Sequence, residues 1–208
     1  MATAGTADTF GWWSRVQAWV RLAPAVIALG LALVSWPNIA VESWARVHVD
    51  TAAWLVFVAA AGIRWWATLC RASEPRGLVA TGPYSVCRNP MLMANLMFGV
   101  SFALFLASAT FTVGFVVGAI GCFSLAVAAE EQELARRFGR EYRDYCKDVP
   151  RYWLRISHFR SPETLIARRA DLIPELRLTA LWMWLPVLGK MLAQFRAEAW
   201  WPNLLNLP

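Results

Sequence analysis

Charge is scarce in this sequence. Only 16% of its 208 residues are Asp, Glu, Lys or Arg, against about 25% in soluble globular domains. Histidine is rarer still, with two residues, and the four cysteines Cys70, Cys87, Cys122 and Cys146 form no CxxC pair. Zinc-type spacing and a disulfide framework are therefore both missing, and no metal site is expected. The opening MATAGTADTFGWWSR has no positive stretch ahead of a short apolar core, so it does not read as a signal peptide. Internal repeats, low-complexity tracts and paired broken helices of the transporter kind are absent too.

What fills the space is apolar. Hydrophobic residues make up 58% of the chain, and thirteen of its residues are tryptophan, a ring that favours membrane interfaces. The formal charge is +6, and thirteen of the twenty Lys and Arg residues follow position 130. A basic tail on an otherwise lipid-compatible chain points to an anionic membrane surface rather than to nucleic acid. The expectation is an all-α, polytopic membrane bundle in one domain.

Its spans can be read from the gaps between charges. Leu22 to Val41 is twenty residues without a charge, about one 30 Å hydrocarbon core at 1.5 Å per residue. Thr51 to Cys70 is a second, broken only by Arg64, which can either snorkel to the interface or orient a ligand. Between Arg88 and Glu130 lie forty-one uncharged residues, roughly 60 Å as one helix and twice the bilayer. Two spans joined by a turn near Ser108-Ala109-Thr110 fit instead, giving about four transmembrane helices. The arginines alternate so that both termini face the cytoplasm. Gly114, Gly118 and Gly121 predict a close helix–helix contact.

After Glu130, Leu134, Phe138, Tyr142 and Tyr145 recur at helical spacing among charges, predicting an amphipathic cytoplasmic helix ended by Pro150. Residues 156–175 read as a polar linker. Leu176 to Trp201 is apolar but interrupted by Pro186 and Lys190, and an interfacial helix is expected there rather than a fifth span.

A hairpin has a consequence for chemistry. Its two ends must emerge on one face, so the loop TGPYSVCRNPM (81–91) meets Glu130 and Glu131 at a cytoplasmic rim. Such glutamates are often no more than a solvated helix end. Here they gather with Tyr84, Arg88 and Asn89, and ionisable groups at membrane depth tend to be functional.

At hairpin spacing, GLVATGPYSVCRNPM and EEQELARRFGREYRDYCKDVPRYW together resemble the isoprenylcysteine carboxyl methyltransferase family, which shares its group with phospholipid methyltransferases. The similarity spans about residues 60–154. It implies a membrane methyltransferase domain over 1–155, followed by a linker and interfacial helix over 156–208. It also implies S-adenosylmethionine as cofactor, bound by Arg76, Gly77, Leu78, Val79, Tyr84, Asn89, Pro90, Met91, Leu92 and Glu130. Arg88 takes the catalytic or positioning role. The implied acceptor is lipophilic or lipid-linked, reaching a cytoplasm-facing site from the lipids of a bacterial inner membrane.

The chain departs from the family's pattern at three positions. Asn89 replaces a histidine, Leu92 a tyrosine, and Ala126 an arginine that holds a substrate carboxylate. A phospholipid or a small thiol therefore stands beside prenylcysteine as acceptor, and a non-catalytic scaffold or carrier stands beside the enzyme.

Overall fold

The computed structural model describes residues 43–74, 77–151, 154–162 and 164–201, with Leu29, Gly30 and Leu33 before them. Among these it is all-helical. The expected first span, Leu22 to Val41, lies outside the described residues but for those three, as does Arg76.

Helix α1 (Trp44–Ser73) starts on Ser43, whose side chain accepts from the Arg46 N–H, satisfying one of the orphan donors of a helix start. It is long and apolar enough to cross a membrane, as is the Phe111–Asp148 stretch of helix α3 (Ala109–Asp148). Between them, α2 (Pro90–Leu106) is apolar but shorter, with Pro90 in its first turn.

The hairpin turn falls slightly ahead of its expected place. Helix α2 ends at Leu106, Ala107 takes a left-handed conformation (φ 48°), and Ser108 already caps α3 by accepting from the Phe111 N–H. The last carbonyls of α2 are met by arginines: Arg46 donates to the Phe105 carbonyl and Arg196 to that of Leu106 at 3.1 Å. Cations suit the negative end of a helix dipole.

The core runs between α1 and α2, where Phe57, Ala60 and Phe98 are buried together. Close approach of α2 to α3 depends on Gly99, where a Cβ would come within 1.9 Å of the Phe115 ring. The glycines expected to make such a contact are not all so used. A Cβ on Gly121 meets nothing within 4 Å, because α3 turns Val113, Val116, Val117 and Leu125 outward.

The amphipathic stretch after Glu130 is a continuation of α3 through a kink at Gly139 (φ 55°, ψ −112°), a conformation that only glycine adopts without strain. The remaining chain departs furthest from its expected course. Residues 169–197 form two helices, α4 (Arg169–Trp182) and α5 (Trp184–Ala197), packed along α1 and α2 rather than laid beside them as a surface strip. Trp182 stacks on Phe98 with centroids 4.9 Å apart. A Cβ on Gly189 would sit 2.7 Å from the Phe105 side chain, so α5 rests directly on α2. Lys190, read as an interruption, pairs with Asp50 at 3.0 Å.

Candidate active site

Two segments more than 60 residues apart in the chain build one wall. The loop after α1 enters a 3-10 turn at Gly82–Ser85, with Gly82 at φ 59° and tight against Cys70 and Trp66. It is clamped by the chain that follows α3. Gly82 N–H donates to the Arg160 carbonyl at 2.8 Å, Arg88 N–H to that of Pro150 at 3.2 Å, and Arg155 N–H to that of Val86 at 3.1 Å. Tyr145 Oη donates to the Tyr84 carbonyl at 2.6 Å.

Arg88 locks the same junction. Its guanidinium donates to the carbonyls of Val149 at 2.6 Å and Cys146 at 2.8 Å, and pairs with Glu131 at 3.4 Å. Glu131 takes a second cation, Arg151, at 2.7 Å. The planar, multiply donating guanidinium suits this bridging. Its visible work is to order the loop.

Above this junction opens a cleft of about 680 Å³, within the roughly 300–1,000 Å³ of small-molecule sites. Of the residues expected at a cofactor site, Gly77, Leu78, Val79, Tyr84, Met91 and Glu130 line it, and so does Arg88. Tyr84 and Glu130 thus share one hollow at one end of the hairpin. Burial pushes the Tyr84 phenol up to about 12; Arg71 opposes that rise and Glu130 adds to it. Tyr142 and Tyr145 are raised as well, first by burial.

Asn89, Pro90 and Leu92 do not line the cleft. Asn89 occupies the N-cap position of α2 without a capping bond, and its side-chain nitrogen is buried with no hydrogen-bond partner. Pro90 at the first helical position fixes the backbone there and is itself buried.

The sequence pattern did not reveal the opposite wall. Asp171, Pro174, Glu175 and Leu178 of α4 face the cleft. Glu175 meets Arg64 through two bonds, 2.5 Å to Nε and 3.1 Å to Nη2, and the third side of the guanidinium donates to Asn95 Oδ1. Arg64 and Glu175 are 7% and 5% exposed, so Arg64 is not snorkelling. Thr68, Arg71, Glu74, Leu134, Arg137 and Phe138 also line the cleft. The one available signal for α4 was an unpaired Arg64 in a span, which requires a buried partner somewhere in the chain.

The nickel-cobalt-cadmium resistance protein NccN of Alcaligenes xylosoxydans xylosoxydans is 25% identical over 210 residues, covering all of this chain and 96% of its own. The cobalt-zinc-cadmium resistance protein CzcN of Cupriavidus metallidurans is 27% identical over 109 residues, about half of each chain. No solved structure matches. Residues 45–141 match the family described as phospholipid methyltransferase. That segment, which holds nearly all of α1, the GPY loop, the hairpin and Glu130, is thus similar to a family of membrane methyltransferases within the isoprenylcysteine carboxyl methyltransferase-like group.

Proposed function

We propose that the protein transfers a methyl group from S-adenosylmethionine to a lipophilic acceptor at the membrane. The observation that carries this is the shared cleft of Tyr84 and Glu130. The residues present fit the cofactor: Glu130 offers a carboxylate to an ammonium or to hydroxyls, with charge-assisted bonds. Leu78, Val79 and Met91 offer apolar walls to an adenine, and Arg71 offers a guanidinium to a carboxylate. The cofactor supplies the methyl on a sulfonium, and its transfer is an in-line displacement. Such a step asks the protein for alignment and for exclusion of water more than for acid–base groups, so two histidines in the whole chain are no obstacle.

The chain's own residues divide the work. The GPY loop, held by Arg88 and Tyr145, presents one face of the cleft. Leu134 and Phe138 form an apolar floor, and α4 closes the far side. The catalytic unit therefore includes the C-terminal segment as well as residues 1–155. In the membrane, α1 and the α2–α3 hairpin cross with the N-terminal segment as four spans, and the arginine-rich rim carries the cleft to the cytoplasmic side of a bacterial inner membrane. The acceptor enters laterally from the lipid.

Titration calorimetry of the purified protein with S-adenosylhomocysteine tests the reading. Saturable binding that weakens at least about tenfold in Glu130→Gln is expected, the loss of a charge-assisted contact. No binding to the wild-type protein would sink the proposal.

A further inference from the structure

Four cations line the cleft: Arg64, Arg71, Arg88 and Arg137. Arg71 and Arg137 are exposed at the rim, and Arg137 lies over the Phe138 ring at 5.1 Å. Arg88 is taken by Glu131 and two carbonyls. Arg64 is the buried one, in a cleft that Pro174 and Leu178 also line, and the carboxylate on it belongs to the protein itself. Glu175 grips it through both oxygens, and Asn95 takes a further N–H.

An acceptor carboxylate arriving at Arg64 would meet Glu175 already there. Two carboxylates on one guanidinium leave a net negative charge at a buried position, which is disfavoured. Displacing Glu175 instead would strand its own buried charge. A nucleophile without negative charge meets neither penalty.

We propose that Glu175 is the residue that sets acceptor specificity: by occupying Arg64 it turns the cleft against carboxylates and towards an apolar molecule ending in an amine or a thiol. This rests on the methyl-transfer reading above. In the step itself the nitrogen or sulfur lone pair bonds the methyl carbon. The carbon–sulfonium bond breaks with its electron pair left on sulfur, and the acceptor's proton leaves to water at the open rim, where Glu130 is exposed. Glu175 lies outside the family-matched segment 45–141.

The test uses the full-length protein in lipid nanodiscs and three probes sharing one chain: decylamine, decanethiol and decanoate. Binding in the presence of S-adenosylhomocysteine, and methylation with labelled S-adenosylmethionine, are measured for wild type and Glu175→Gln. The wild type is expected to take the amine or the thiol at least about tenfold better than decanoate, the scale of one buried like-charge contact. The two arms tell which of them it takes. Glu175→Gln keeps a polar group on Arg64 and should raise decanoate binding at least about tenfold. If wild type binds S-adenosylhomocysteine but handles decanoate as well as the others, or binds none of the three, the Glu175 assignment falls while the cofactor site stands. It also falls if the variant binds S-adenosylhomocysteine normally with decanoate unchanged. If the variant does not fold, the wild-type ratio decides alone. If wild type does not bind S-adenosylhomocysteine, the methyl-transfer reading fails first, and the acceptor assignment fails with it.

Discussion

The Tyr145 hydroxyl donates to the main-chain carbonyl of Tyr84 across 2.6 Å, although 61 residues separate them. This bond ties the amphipathic end of α3 to the loop that opens the hairpin. Removing the hydroxyl with Tyr145→Phe leaves that carbonyl without the partner. A loss of about 1–3 kcal/mol in stability is expected for a buried acceptor so treated. Binding of S-adenosylhomocysteine should weaken with it, because the loop is a wall of the cleft. Thermal unfolding and calorimetry on the same sample check both; unchanged values in both would remove the bond from the account.

Gly82 and Gly121 predict opposite results for one substitution. At Gly82 the backbone is left-handed and a Cβ would sit 2.5 Å from Cys70 Sγ, so Gly82→Ala must displace the turn carrying Tyr84. At Gly121 the Cβ meets nothing, and Gly121→Ala gains up to about 1 kcal/mol of helix propensity. Melting temperatures should fall for the first and hold or rise for the second.

Gly139 makes a related case. Its ψ of −112° at φ 55° excludes side-chain-bearing residues at a cost of order 1–3 kcal/mol, and a Cβ there has open space. Any loss in Gly139→Ala is thus backbone strain rather than a clash. The expected signs are a lower melting temperature and weaker S-adenosylhomocysteine binding, since Tyr145 and the Arg88 acceptors lie beyond the kink.

A forty-one-residue charge-free run has few solutions in a bilayer, so the hairpin and the meeting of Tyr84 with Glu130 followed from length alone. The α4 wall did not. Glu175 and Arg64 stand 111 residues apart, and Pro174 and Pro186 break the hydrophobic run that would have marked a packed helix. Asn89 is a different case. Motif position put it among the ligand contacts, and the structure buries it at the turn into Pro90 without bringing it into the lining of the cleft. Which way a loop residue faces depends on local backbone angles that spacing does not encode.

Alkali offers a direct probe of the cleft. The Tyr84 phenol is held near 12, chiefly by burial, against about 10 in an unfolded chain. The native state therefore keeps its proton where the unfolded state has lost it. This contribution to stability is whole below pH 10 and drains away as pH rises towards 12. Phenolate absorbance of the folded protein should lag that of the denatured protein, and Tyr84→Phe should flatten part of the decline in stability over that window. An absorbance curve matching the denatured one would mean that Tyr84 is open to water.

Arg196 separates structural from functional effects. It is fully buried and donates to the Leu106 carbonyl at the end of the hairpin away from the cleft. Arg196→Met keeps much of the apolar stem but leaves that carbonyl without its donor, an expected loss of about 1–3 kcal/mol. No cleft residue touches this end, so the Kd for S-adenosylhomocysteine measured below the melting transition should stay within about twofold of wild type, the result for sites without shared partners. If affinity fell in step with stability, the two ends of the α2–α3 hairpin would be coupled, and the cleft would depend on the whole bundle rather than on the junction held by Arg88 and Tyr145.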